Sequence, residues 1–379
     1  MQKQYFELDP HGDVLLTLRR PDHLDFARSA RRAERDILVA TPEVDSNVHE
    51  SVQSGKPTAS MDDPNASDNV KKVQFLLSSR HLSLASPVFD AMLSGCWKES
   101  TVLDERPRKI ARRENRDTSD SELQVRHEIS ATEWNTEALL LLMNIIHGRH
   151  RKLPDDLHPE TLAHFGILVD YYKCHEITEI FARRWIHKNK FYLPTTYSSF
   201  TTLWIFISWV FSDAAIFEEM TEQGIKESQG PVNAMFLPLP PAVSDAIEEK
   251  RASSLQRIIR HVDKIREALI KGEVHRSCGD GCSTMLLGTL IKAMHEHGIS
   301  ESQLLNSRPC PSLMQIKQTL LGFRTPTWYN PSDYRQRSAG HSCSVKSLLE
   351  PGIDGILKNL KGLKLNDYRV QQEDEVPKV

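Results

Sequence analysis

Between Val73 and Trp97 the chain reads VQFLLSSRHLSLASPVFDAMLSGCW, and the period of its apolar residues changes partway along. Val73, Phe75 and Leu77 alternate with Gln74 and Ser78, the period-two pattern of a half-buried strand. After the polar stretch Ser78–His81, residues Leu82, Leu84, Val88, Phe89, Met92 and Leu93 recur at helical spacing. Pro87 stands where a second short helix can begin. A strand that runs at once into two short helices, with Phe89 and Met92–Leu93 as core anchors, reads as part of an α+β unit.

Upstream, Tyr5–Leu8 and Val14–Leu18 are short β-type runs separated by Asp9-Pro10-His11-Gly12-Asp13, which reads as a hairpin loop. From about residue 19 to 69 the pattern dissolves into alternating Arg and Asp and then into SNVHESVQSGKPTASMDDPNASDN. Such a segment has too little apolar area to offset the entropy of ordering it, so a disordered insert is expected, with a short helix over Phe26–Val39. A second charged, disordered insert is expected at about 101–124, followed by a short strand over Val125–Ile129. Asn135 is the candidate N-cap of a helix carrying Leu139, Leu142, Met143, Ile145 and Ile146 on more than one face, with Glu137 near its positive end and Gly148 closing it. Pro159 starts the next helix, which runs to Tyr172, and Ile177, Ile180, Phe181 and Trp185 mark another. Phe75, Leu82, Phe89, Leu139, Ile146, Leu168 and Phe181 are expected to lie buried together in one core.

Beyond about Lys190 the pattern is helical. Phe200–Met220 reads as a tryptophan-rich buried helix pair, and Leu237–Pro241 as a stiff connector. Val243–Lys271 reads as the longest helix, with Leu255, Ile258, Val262, Ile265 and Leu269 spaced by three and four. Further helices are expected at Ser283–His297, Leu313–Leu321 and Val345–Leu360. The expected division is a domain at 1–190 and an all-α region at 191–379.

Charged residues make up 26% of the 379 residues, yet the formal net charge is only -3, so no global field steers the chain to nucleic acid or a membrane surface. The longest apolar run, LWIFISWVF at Leu203–Phe211, is far short of the roughly 20 residues a membrane helix needs. MQKQYFELDPHGDV lacks the layout of a secretory signal, and six scattered cysteines do not form a disulfide framework. The expectation is a soluble intracellular protein, cytoplasmic and/or nuclear.

The segment Val73–Trp97, followed by HEISATEWNTEALLLLMNIIHGRHRKLP and LVDYYKCHEITEIFARRW, resembles the BTB/POZ domain in the form found in filamentous fungi. The likeness covers Val14–Leu18 and Val70–Lys188, about a third of the chain. The C-terminal half looks like the partner region of the same fungal proteins, on LWIFISWVF, LPLPPAVSDAIEEKR, the Cys278–Cys282 segment ending LLGTL, PTWY at Pro326–Tyr329 and HSCS at His341–Ser344. The resemblance implies a BTB/POZ fold followed by an all-α C-terminal region. It also implies a non-enzymatic protein–protein interaction role, with homodimerisation and presentation of protein partners. BTB domains join their first two strands by a tight turn, whereas about fifty residues separate Leu18 from Val70 here. Loop-closure entropy grows only logarithmically, so the fold tolerates such an insert. Dimeric BTB domains also swap an N-terminal helix or strand, for which Met1–Leu8 is the available segment.

Trp97-Lys98-Glu99 falls where BTB adaptors of cullin ubiquitin ligases place a hydrophobic residue, any residue, and a glutamate. The resemblance thus offers Trp97 and Glu99 as partner-binding residues and a cullin as a partner; the bland alternative is a Trp covering local core and a solvated carboxylate. Cys278, Cys282, His341 and Cys343 are four ligands of the types that structural zinc takes. The first pair has a knuckle-like spacing and the second an unusual one; the alternative is buried reduced thiols plus a surface histidine. If zinc supports the C-terminal region, a nuclear regulator contacting nucleic acid becomes a rival function, but the balanced charge argues against it. The basic runs at Arg19–Arg35 and Arg106–Arg116 are diluted by carboxylates, and the second has no interleaved aromatic for base stacking. No second histidine follows any of the His-Glu pairs at zinc-protease spacing, and no nucleophile elbow, phosphate loop or dinucleotide fingerprint occurs. His147 and His164 lie beside apolar helix faces and read as satisfied histidines.

Overall fold

The computed structural model describes residues 4–23, 26, 72–94, 108–110, 123–274, 280–300, 303–304, 310–326 and 343–373. The chain divides into two compact units, with the main break between Leu193 and Pro194.

The strands of the first unit are β1 (Gln4–Glu7), β2 (Val14–Arg19), β3 (Lys72–Leu77), β4 (Arg108–Ile110), β5 (Leu123–Val125) and β6 (His127–Thr132). Four of them form a mixed sheet in the order β1-β3-β2-β6. β2 runs antiparallel to β3, with Leu16 opposite Phe75, and parallel to β6, with Val14 opposite His127. β1 and β2 are therefore not a hairpin: β3 lies between them and pairs with β1 in parallel, Phe6 opposite Phe75. The burial of the two strands accounts for this. Val14, Leu15, Leu16 and Leu18 of β2 are buried on both faces, which suits an interior strand. β1 is half exposed and suits an edge. Gly12 sits where the loop crosses the end of β3; a Cβ there would stand 2.7 Å from the Leu77 carbonyl oxygen.

The single strand expected at Val125–Ile129 is two strands split at Arg126, whose amide, like that of His127, donates to the Asp13 carbonyl. β4 and β5 form a separate antiparallel pair, Arg108 opposite Val125, so the 101–124 insert is not wholly irregular. Strand pairing uses backbone groups whatever the side-chain charge, and composition alone conceals it. The remainder of both inserts, and the helix expected at Phe26–Val39 apart from Phe26, lie outside the described residues.

The helices of this unit are α1 (Ser79–Ala85), α2 (Pro87–Leu93), α3 (Thr136–Ile146), α4 (Pro159–Tyr172) and α5 (His175–Asn189). Ser86 caps α2 by accepting the Phe89 amide at 3.0 Å, with Pro87 at the first helical position. Asn135 caps α3 in the same way through the Ala138 amide, and Gly148, at φ 66°, ends it. α1 packs on α2 and α3, α2 on α4, and α3 on α4 and α5. Phe75, Leu82, Phe89, Leu139, Ile146 and Leu168 are buried as expected, and Phe89 stacks on Tyr172 with ring centroids 4.2 Å apart. Phe181 is not: it is half-buried. α5 turns Thr178, Ala182, Trp185 and Ile186 inward and leaves Ile180 72% exposed. Trp185 sets that rotation, standing edge-on to Phe165 and donating its indole N–H to the Pro154 carbonyl at 3.0 Å.

Among the described residues the second unit is all helical: α6 (Ser199–Val210), α7 (Ala214–Glu227), α8 (Pro241–Ile270), α9 (Asp280–Glu296), α10 (Leu313–Leu321), α11 (Val345–Lys358) and α12 (Asn366–Glu373). α6 and α7 pair closely, and Trp204, Phe206 and Phe217 are fully buried there. The 30-residue α8 packs against α7, α9, α10 and α11. The C-terminal segment forms a strap over α7, where the Leu363 amide donates to the Thr221 hydroxyl at 2.8 Å. Arg369 then donates to the Trp209 and Val210 carbonyls at the end of α6. No described helix is long and apolar enough to cross a membrane.

Candidate functional site

The N-terminus of α1 presents amides that its own turns cannot satisfy. The Ser78 side chain, at the N-cap position, makes no capping bond. The acceptors come from far along the chain. Asp13, just ahead of β2, takes the Ser79 amide on one carboxylate oxygen and the Ser79 hydroxyl on the other, both at 2.8 Å. His147, at the C-terminal end of α3, takes the Ser78 amide on Nε2 at 3.0 Å. Nδ1 of the same ring lies 2.8 Å from the Met143 carbonyl oxygen.

These partners fix the tautomer. A carbonyl only accepts and an amide only donates, so His147 carries its proton on Nδ1 and its ring is neutral. Burial lowers its pKa from the ordinary value. The Met143 carbonyl opposes that shift, the neighbouring His81 adds to it, Asp9 opposes it and Arg149 adds to it. His81 stacks on His147 with ring centroids 5.2 Å apart. His147 is thus a satisfied histidine, and His164 stacks on Phe26. Neither its role at the junction nor Asp13's was legible in sequence, because both contacts span more than sixty residues.

Of the proposed zinc ligands, Cys282 lies in the first turn of α9 and Cys343 just ahead of α11, both buried, on helices that pack together. Cys278 and His341 lie outside the described residues, as do Trp97 and Glu99. Among the described residues no group of three His, Cys, Asp or Glu side chains could hold a metal ion. Cys174, Cys282, Cys310 and Cys343 carry no disulfide. Burial pushes the Cys174 thiol up to about 12, against a lowering contact from Ser86, so it is an inert thiol.

A polar cluster in the second unit was missed in sequence. Arg251 is buried on the inner face of α8, between Ile247 and Leu255. Its guanidinium donates to both oxygens of Glu248, at 2.8 and 2.6 Å, and to the Cys310 sulfur at 3.2 Å. Burial works against the charge, but the Glu248 and Cys310 contacts outweigh it and hold the pKa above its ordinary value. The available signal was an arginine falling on the apolar stripe of a long helix, a position a charge occupies only when paired.

On the outside of the first unit, α1 turns Leu82 fully inward and leaves Leu84 91% exposed. The chain as a whole matches no protein-family model, no curated protein and no solved structure.

Proposed function

We propose that this chain is a non-enzymatic protein-interaction protein whose first unit is of the BTB/POZ type, that it self-associates, and that it presents protein partners in the cytoplasm, the nucleus or both. What supports the reading is the order strand, two short helices, then a buried helical layer, on the residues that carry the BTB/POZ resemblance. The observation that carries it is Leu84, an apolar side chain held 91% exposed by a helix whose other face is locked into the core. Covering a leucine is worth about 1.5–3 kcal/mol, so a partner surface gains by burying it. Light scattering on the full chain tests the reading. Self-association that Leu84→Glu weakens, with the melting temperature retained, is the expected outcome. A chain that stays monomeric at every concentration and captures no protein partner overturns it.

A further inference from the structure

One of the three side-chain bonds that close the junction of β3 and α1 can be opened by a single proton. We propose that His147 is a proton-operated latch on this junction: a proton on Nε2 removes the acceptor of the Ser78 amide and leaves the N-terminus of α1 held by the Asp13–Ser79 bonds alone. The proton comes from solvent and adds to the Nε2 lone pair; no other bond need change. Once both ring nitrogens donate, Nε2–H faces the Ser78 N–H and the two donors repel, while Nδ1 keeps its carbonyl. The imidazolium would also lie against His81 of α1 and near Arg149, whose guanidinium donates to the Glu7 carbonyl. Asp9 of the β1–β2 loop favours the imidazolium, while Asp13 of the same loop is engaged by Ser79.

The sign follows from the environment. Burial, His81 and Arg149 hold the folded-state value below the ordinary 6.5 of a free histidine. The bond therefore contributes fully above that value and is lost as the pH falls below it through the folded-state value. Release would loosen the first turn of the helix that displays Leu84, so acidification would change the exposed surface of the first unit. The inference rests on the geometry of the junction and not on the BTB/POZ reading.

Hydrogen exchange of the full chain, corrected for intrinsic rates, at about pH 7.5 and about pH 5.5 tests the latch across the histidine range. In the wild type and in His81→Gln, exchange over residues 77–85 should rise several-fold at the lower pH. His147→Gln, whose amide accepts without titrating, should show no such rise. An equal acid rise in His147→Gln, or none in the wild type, overturns the proposal. If His147→Gln does not fold, the imidazole resonances of the wild type decide. A His147 titration below the free-histidine value with the proton on Nδ1 supports the latch, and titration at or above that value, or a proton on Nε2, defeats it.

Discussion

Single atoms decide several of this fold's contacts. Phe89 is fully buried and stacked face-on with Tyr172. Replacing it by Ala empties a filled site, and a loss of about 3–5 kcal/mol is expected from denaturant unfolding. Two glycines of the second unit make a sharper contrast. A Cβ at Gly362 would stand 1.8 Å from the Glu218 carbonyl oxygen, a backbone atom, so the strap must lift and the Leu363–Thr221 bond must strain. Gly362→Ala should cost about 1–3 kcal/mol, read as a lower melting temperature. Gly355, within α11, has nothing within 4 Å of its Cβ direction. Gly355→Ala should therefore stabilise by about 0.5–1 kcal/mol through backbone entropy alone. Equal effects at the two sites would show that the close approach at Gly362 is not there.

At the level of elements, rotation decides what a pattern means. α5 carries Ile177, Ile180 and Phe181 as well as Trp185, and an apolar count alone favours the wrong face. The face that packs is Thr178, Ala182, Trp185 and Ile186, spaced by four, three and one, because the indole needs both a ring partner and an acceptor for its N–H. Ile180→Glu should leave stability within about 0.5 kcal/mol, whereas Trp185→Ala should cost about 3–5 kcal/mol. Chemical denaturation of the two variants separates the faces directly. Helix ends were more legible than helix faces. Asn135, Pro159 and Gly148 signal their ends through one residue's side chain or backbone freedom, and the structure has helix termini at each.

For the whole molecule, the zinc proposal joins Cys278 and Cys282 to His341 and Cys343, far along the chain. Zinc held there would tie two distant stretches together, and its binding free energy would be folding free energy. About one zinc per chain by elemental analysis, and a melting temperature lowered by chelator, are the expected results. Zinc-free protein whose melt ignores chelator ends the proposal. The sequence by itself determined most of the helices, the strands around Tyr5, Val14 and Val73, where most of these elements stop, and most of the residues that are buried, because period, caps and apolar area are local properties of the chain. It could not determine that β3 separates β1 from β2, that Arg108–Ile110 pairs with β5, or that Asp13 and His147 close the start of α1. Those contacts join residues distant in sequence, and their energy exists only once the rest of the fold has brought the two ends together.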